Sequence, residues 1–215
     1  MTECRIKKVA VDGLIVDLPN GEVVAPIQMP GATWIKDLKI QINQREIFSS
    51  NQLYSYKSYL DAELSFPTTT KDSFLNVAGY VRDQKDPDAV ADPGYIGRKN
   101  MFARSRTVQL ISKLSADIFN QDLYMISNVE IDIEITPQTD DFMIIQGVAA
   151  EKYMFEITDV RLLIKTIDLM DGLSLDIARK LDTEPARYGI RKTFMKSLFI
   201  SQGRTDFVAN IFTEE

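Results

Sequence analysis

Three groups of side chains in this 215-residue chain have types and spacing that could do chemistry. Glu130, Asp132 and Glu134 stand at i, i+2 and i+4, so on a strand their carboxylates are neighbours on one face. Such a pair can serve as acid and base on a glycosidic bond. Nothing complementary lies nearby to separate their pKa values, and the same alternation is how a solvated sheet face is written. The loop "DPDAVADPG" carries Asp86, Asp88 and Asp92, oxygen ligands of the kind calcium takes. Their spacing is not that of an EF-hand, and Asp and Pro together also mark an ordinary turn. Tyr54, Tyr56 and Tyr59 crowd one short segment, with Tyr95 beyond the loop. Tyrosines in such a group can stack on sugars or bases, pack into a core, or face a protein partner.

The missing residue types narrow the chemistry further. There is no histidine, which excludes histidine acid–base catalysis, histidine-based nucleophile activation and every zinc site that needs imidazole. One cysteine, Cys4, excludes an intramolecular disulfide and a thiolate zinc cluster, and suits a reducing compartment. The formal charge is −6, from 25 Lys plus Arg against 31 Asp plus Glu. The densest basic groups, "ARSR" at 103–106 and "IRK" at 190–192, are too short for a nucleic-acid face. No apolar run spans a bilayer, and "MTECRIKKVAVDG" lacks a signal-peptide core, so synthesis inside the cell is expected. No residue is assigned a catalytic, cofactor-binding or metal-ligating role.

The elements that position these groups read mostly as β. "RIKKVAV", "LIVDL" and "EVVAP" are split by Asp12-Gly13 and by Pro19-Asn20-Gly21, which predicts a three-stranded meander with tight turns. A strand over 34–42 follows. Ser49 and Gln52 have capping-box spacing before a helix at about 50–65, whose Leu53, Tyr56, Leu60 and Leu64 form the apolar stripe. A second helical piece is expected over 71–83 and a short helix at 96–103, around a surface loop that holds Pro87, Pro93 and Gly94. Strands are expected at 107–114, 128–137, 141–146, 152–169 and 191–200, with a helix over 173–183. The segment 152–169 is too long for one flat strand. Its apolar phase changes, from Phe155 and Ile157 to Val160, Leu162 and Ile164, which predicts a bulge near Thr158–Asp159. Many short strands with inserted helices indicate an all-β jelly-roll sandwich with helical insertions.

The order of segments also carries a resemblance. "DLKIQINQREI" runs into "NQLYSYKSYLDAELSF"; after the Asp/Pro/Gly loop come "TVQLISKLSADIFNQDLYMISNVEIDIEITPQTDDFMI", "YMFEITDVRLLIKTIDLMDGLSLDIARKL" and "ARYGIRKTFMKSLFI". Over residues 32–200 this resembles the major capsid (hexon) proteins of Maverick/Polinton elements and adintoviruses. More distantly it is similar to the first jelly roll of double-jelly-roll capsid proteins. The resemblance implies a single jelly-roll domain over 1–215, with 1–31 an atypical N-terminal β segment and 50–105 a helical and loop insertion. Capsid proteins of this type continue into a second jelly roll, which would begin at 200–215. It implies a non-enzymatic structural protein with no cofactor, assembling with itself into trimeric capsomers and a virion shell. Direct contact with nucleic acid, membrane or a small-molecule substrate is not implied. The candidate interface residues are Tyr54, Tyr56, Tyr59, Asp86, Asp88 and Tyr95. The alternative is a β-sandwich module, which could be a capsid domain put to new use, that binds a glycan or a protein.

Overall fold

In β1 (Thr2–Val9) the alternation of Thr2, Cys4 and Ile6 turns one face inward and leaves Glu3, Arg5 and Lys7 half-buried on the other. A computed structural model describes residues 1–85, 89–147, 151–204 and 206–208, and in it β1 is the middle of a four-stranded sheet. The C-terminal half of β1 pairs with β2 (Ile15–Asp17) through a turn in which Gly13 has φ +83° and Asp12 accepts the Leu14 N–H. The meander stops there. Gly21 turns the chain at φ +84°, but β3 (Val24–Pro26) leaves the sheet to pair elsewhere.

The chain then passes through α1 (Pro30–Thr33) into β4 (Ile35–Ile42), as expected for 34–42. Asn43 and Gln44, both at positive φ, reverse it into β5 (Arg45–Ser49), a strand the sequence reading missed. The capping box does not form. Ser49 Oγ donates to Asn51 Oδ1 at 3.4 Å, and the Gln52 N–H donates to Asp37 Oδ1 of β4 at 3.0 Å, alongside Ser50 at 2.6 Å. The helix α2 (Tyr54–Ser65) therefore starts later than expected. The piece expected over 71–83 is broken into α3 (Thr68–Ser73) and a 3-10 turn at Leu75–Ala78. Gly79 closes that turn at φ +83°; a Cβ there would sit 2.8 Å from Pro30 Cδ. α4 (Pro93–Met101) replaces the short helix expected at 96–103 and is capped by the Asp92 carboxylate on the Gly94 N–H.

The remaining elements are β6 (Val108–Leu110), β7 (Ile131–Pro137), α5 (Asp140–Met143), β8 (Ile144–Gln146), β9 (Lys152–Val160) and α6 (Asp171–Thr183). β1 carries β9 on one side and β2 with β6 on the other; β3 pairs with β8; and β5-β4-β7 forms a third sheet. Thr158 is skipped in the β1–β9 register, which places the expected bulge there.

These sheets do not make an all-β jelly roll. The fold is mixed α/β, about 29% helix and 24% strand, with several small sheets and six α-helices among the described residues. The physical reason lies in two segments expected as strands. β9 ends at Val160 because its partner β1 begins at Thr2, and the last backbone bond runs from Arg161 N to Met1 O. Beyond it, 161–170 has no ladder partner, and neither has 191–200. The main core gathers Ile6, Trp34, Ile35, Leu38, Ile40, Phe102 and Phe155, while Met29, Ala62, Leu75 and Tyr80 form a second cluster beneath α2.

Candidate assembly surface

α2 turns the opposite side inward from the one its apolar stripe predicts. Tyr54, Ser55, Ser58 and Ala62 are buried. Three of the four are small, which lets the helix backbone approach α1 and β4 closely. Their polar atoms are satisfied: Ser55 Oγ donates to the Ile35 carbonyl at 2.6 Å, Ser58 Oγ to the Ser55 carbonyl at 3.0 Å, and Tyr54 Oη accepts the Ser115 N–H at 2.8 Å. Burial pushes the Tyr54 phenol up to about 12, so it stays neutral. With the inner face filled this way, Tyr56, Leu60 and Leu64 point outward, 51%, 43% and 84% exposed. They span two turns, about 12 Å along the axis. Phe142 of α5 extends the stripe, its ring edge-on to Tyr56 at 5.5 Å.

The tyrosines and aspartates read from the sequence therefore separate. Tyr54 and Tyr95 are wholly buried, Tyr95 donating weakly to the Ile145 carbonyl at 3.4 Å; neither can face a partner. Tyr56 is exposed and Tyr59 half-buried. Asp86 and Asp88 lie outside the described residues. Asp92 is buried and bonds the Gln84, Lys85 and Gly94 N–H groups, a loop brace rather than an ion ligand. No cluster among the described residues has the makings of a metal site.

A second unpartnered helix face was missed. α6 buries nothing. Its Leu173 and Leu181 are exposed and Ile177 half-exposed, at the same i, i+4, i+8 spacing as the α2 stripe. The signal was present in α2: Ser55, Ser58 and Ala62 on the face away from the stripe mark a helix that packs by close approach.

The C-terminal segment is also open. Phe194, Leu198, Phe199 and Ile200 are exposed, and between Glu184 and Asp206 the sequence holds Arg187, Arg191, Lys192, Lys196 and Arg204 with no acid. Tyr188 Oη donates to the Tyr124 carbonyl and the Arg191 N–H to Asp117, which brings Lys192–Phe194 beside the β5 margin. On β7 the alternation holds at Ile133 and Ile135, half-buried beside exposed Asp132 and Glu134, but not at Ile131, which is exposed; Glu130, just before the strand, is exposed as well. The carboxylate row lies along a sheet edge, with Lys39 of β4 3.8 Å from Glu134.

Two polar clusters resemble catalytic groupings and lack the chemistry. Ser115 Oγ lies 3.2 Å from Lys57 Nζ, the distance of a serine–lysine dyad, but Asp61 binds both, at 2.5 Å from the ammonium. Asp61 thus takes up both the ammonium and the hydroxyl in one ion-pair cluster. At the other end, Lys8 bridges Glu22 and Glu151 at 2.7 Å each, and Tyr153 Oη donates to both acids. Lys8 and then Tyr153 pull the Glu151 carboxyl down to about 2, away from the range of a general acid. Burial pushes the Cys4 thiol up to about 12, leaving it inert. Among the described residues, the hollow between β5 and Lys192–Phe194 holds about 90 Å³ and one beside Asn20 and Arg104 about 20 Å³, both below the roughly 300 Å³ of a small-ligand pocket.

The chain is 28% identical over 212 residues to an uncharacterized protein of Caenorhabditis elegans, a match that takes in 95% of this chain and 49% of the relative. The chain thus spans about half the length of the curated relative it matches. No family model matches. No solved structure matches. No helix among the described residues is long and apolar enough to cross a membrane.

Proposed function

We propose that this chain is a non-enzymatic structural protein that acts by assembling with copies of itself, in the manner of a viral capsid subunit. The observation that carries the proposal is the pair of outward apolar helix stripes, Tyr56–Leu60–Leu64 on α2 and Leu173–Ile177–Leu181 on α6. Apolar surface of this extent on a folded chain marks a contact site, and matched four-residue ridges are what two helices interdigitate. Each stripe can be covered by the other from a second copy. Burying such a side chain fully contributes about 1.5–3 kcal/mol, of which these half-exposed residues realise a part.

The segment-order resemblance to capsid proteins supports the shell-forming version of this reading; the mixed α/β fold and the three small sheets do not depend on it. A shell needs each subunit to make more than one kind of contact, and the helix stripes and the open C-terminal segment are different surfaces. The polar clusters support the non-enzymatic part, since their lysine and carboxylates are locked in opposite pairs.

The test is the triple substitution Tyr56→Ser, Leu60→Ser and Leu64→Ser, followed by sedimentation velocity. The proposal expects a folded chain, by circular dichroism, with its association weakened at least tenfold. Unchanged association in a folded variant removes the stripe from the interface.

A further inference from the structure

The third sheet ends in an open edge. Among the described residues β7 pairs with β4 on one side only, and exposed Asp132 and Glu134, with Glu130 just before the strand, leave that edge acidic. Such an edge is a template for another strand, and its charge selects which one. A second β7 across a twofold axis would set carboxylate against carboxylate, which is destabilising. Two extended apolar segments lack ladder partners, 161–170 and 191–200. The first carries Arg161 and Lys165 against Asp168; the second carries Arg191, Lys192 and Lys196 with no acid.

We infer that residues 191–200 of one copy add as an antiparallel strand to the free β7 edge of a second copy. The inference rests on the self-assembly reading above. Spacing supports the register: Lys192 and Lys196 are four residues apart on one strand face, as are Glu130 and Glu134, so both pairs meet at once, each pair spanning about 13 Å. Lys192 then faces Glu134 and Lys196 faces Glu130. On the opposite face Met195 comes beside Ile131, which is exposed in the free chain. The occupant comes from another copy because the segment's own chain leaves Phe194, Leu198, Phe199 and Ile200 uncovered while Lys192–Phe194 rest at the β5 margin.

Charge reversal in two separate chains tests this, read by light scattering over a dilution series. Glu130→Lys with Glu134→Lys in one chain, and Lys192→Glu with Lys196→Glu in the other, should each weaken self-association tenfold or more. Mixed one to one, the two variants should regain wild-type association, because each tail then meets an edge of opposite charge. Loss without rescue on mixing overturns the strand addition, as does association unaffected by either reversal; in the latter case self-assembly itself stands. Wild-type chain that stays monomeric throughout overturns both this inference and the reading beneath it.

Discussion

Tyr54 and Tyr56 are two residues apart and have opposite fates, and the difference is one of helix face. Tyr54 is sealed in, and its hydroxyl is the acceptor for the Ser115 N–H. Tyr54→Phe would leave that donor without its partner, so a loss of about 1–3 kcal/mol is expected in urea unfolding. Tyr56→Phe, on the surface, should change stability by no more than about 0.5 kcal/mol. Arg98 makes a stronger claim on the fold. It is fully buried, bonds the Pro26 and Val81 carbonyls, and pairs with Asp83 at 2.6 Å. Arg98→Met strands the Asp83 charge and is expected to cost about 3–5 kcal/mol by the same measurement. Glu151 gives a pH signature. Its carboxyl is held by Lys8 and Tyr153 at about 2 instead of the ordinary 4.5, so the native state binds its proton later than the unfolded chain. The stability it contributes is complete above about 4.5 and is lost as pH falls from there toward 2. Chemical denaturation at pH 6 and pH 3 should show a smaller acid loss for Glu151→Gln than for the wild type; equal losses would contradict the assignment.

Elements were legible where the sequence pattern and the available partner agreed. β4, β7 and α6 fall close to their expected places, and the bulge at Thr158 follows from the phase change in its own strand. What failed was decided by contacts distant in sequence. Leu162 and Ile164 continue the β9 pattern, but β1 has run out opposite them. The Pro19-Asn20-Gly21 turn forms, yet Val24 through Pro26 gain more by pairing with Ile144 through Gln146 in the core than by closing a meander. The α2 stripe misled for a different reason: both faces of that helix carry a tyrosine, and only the small Ser55, Ser58 and Ala62 tell which side fits against β4. Of the candidate interface residues, Tyr56 and Tyr59 remain at least partly accessible whereas Tyr54 and Tyr95 are buried, and the exposed α6 face was not among the candidates. At this scale α4 offers a check. Gly94 is needed because a Cβ would lie 2.2 Å from Asp83 Oδ1 and 2.7 Å from the Arg82 carbonyl. Gly94→Ala is therefore expected to lower the thermal midpoint by several degrees.

At the scale of the molecule, exposed apolar side chains occur along much of the chain, and they include runs along α2 and α6, through 160–170 and through 194–200, on a chain that is acidic overall. A chain built to act alone would be expected to cover such stripes; a subunit leaves them for its neighbours. Self-assembly is tested first by the solution mass of the purified wild-type chain by light scattering across a dilution series, with negative-stain images of the same peak. A self-assembling chain should show a mass that is a multiple of 24.4 kDa, shared by rings or particles and falling only on strong dilution. A mass of 24.4 kDa at every concentration, with featureless fields, would contradict self-assembly.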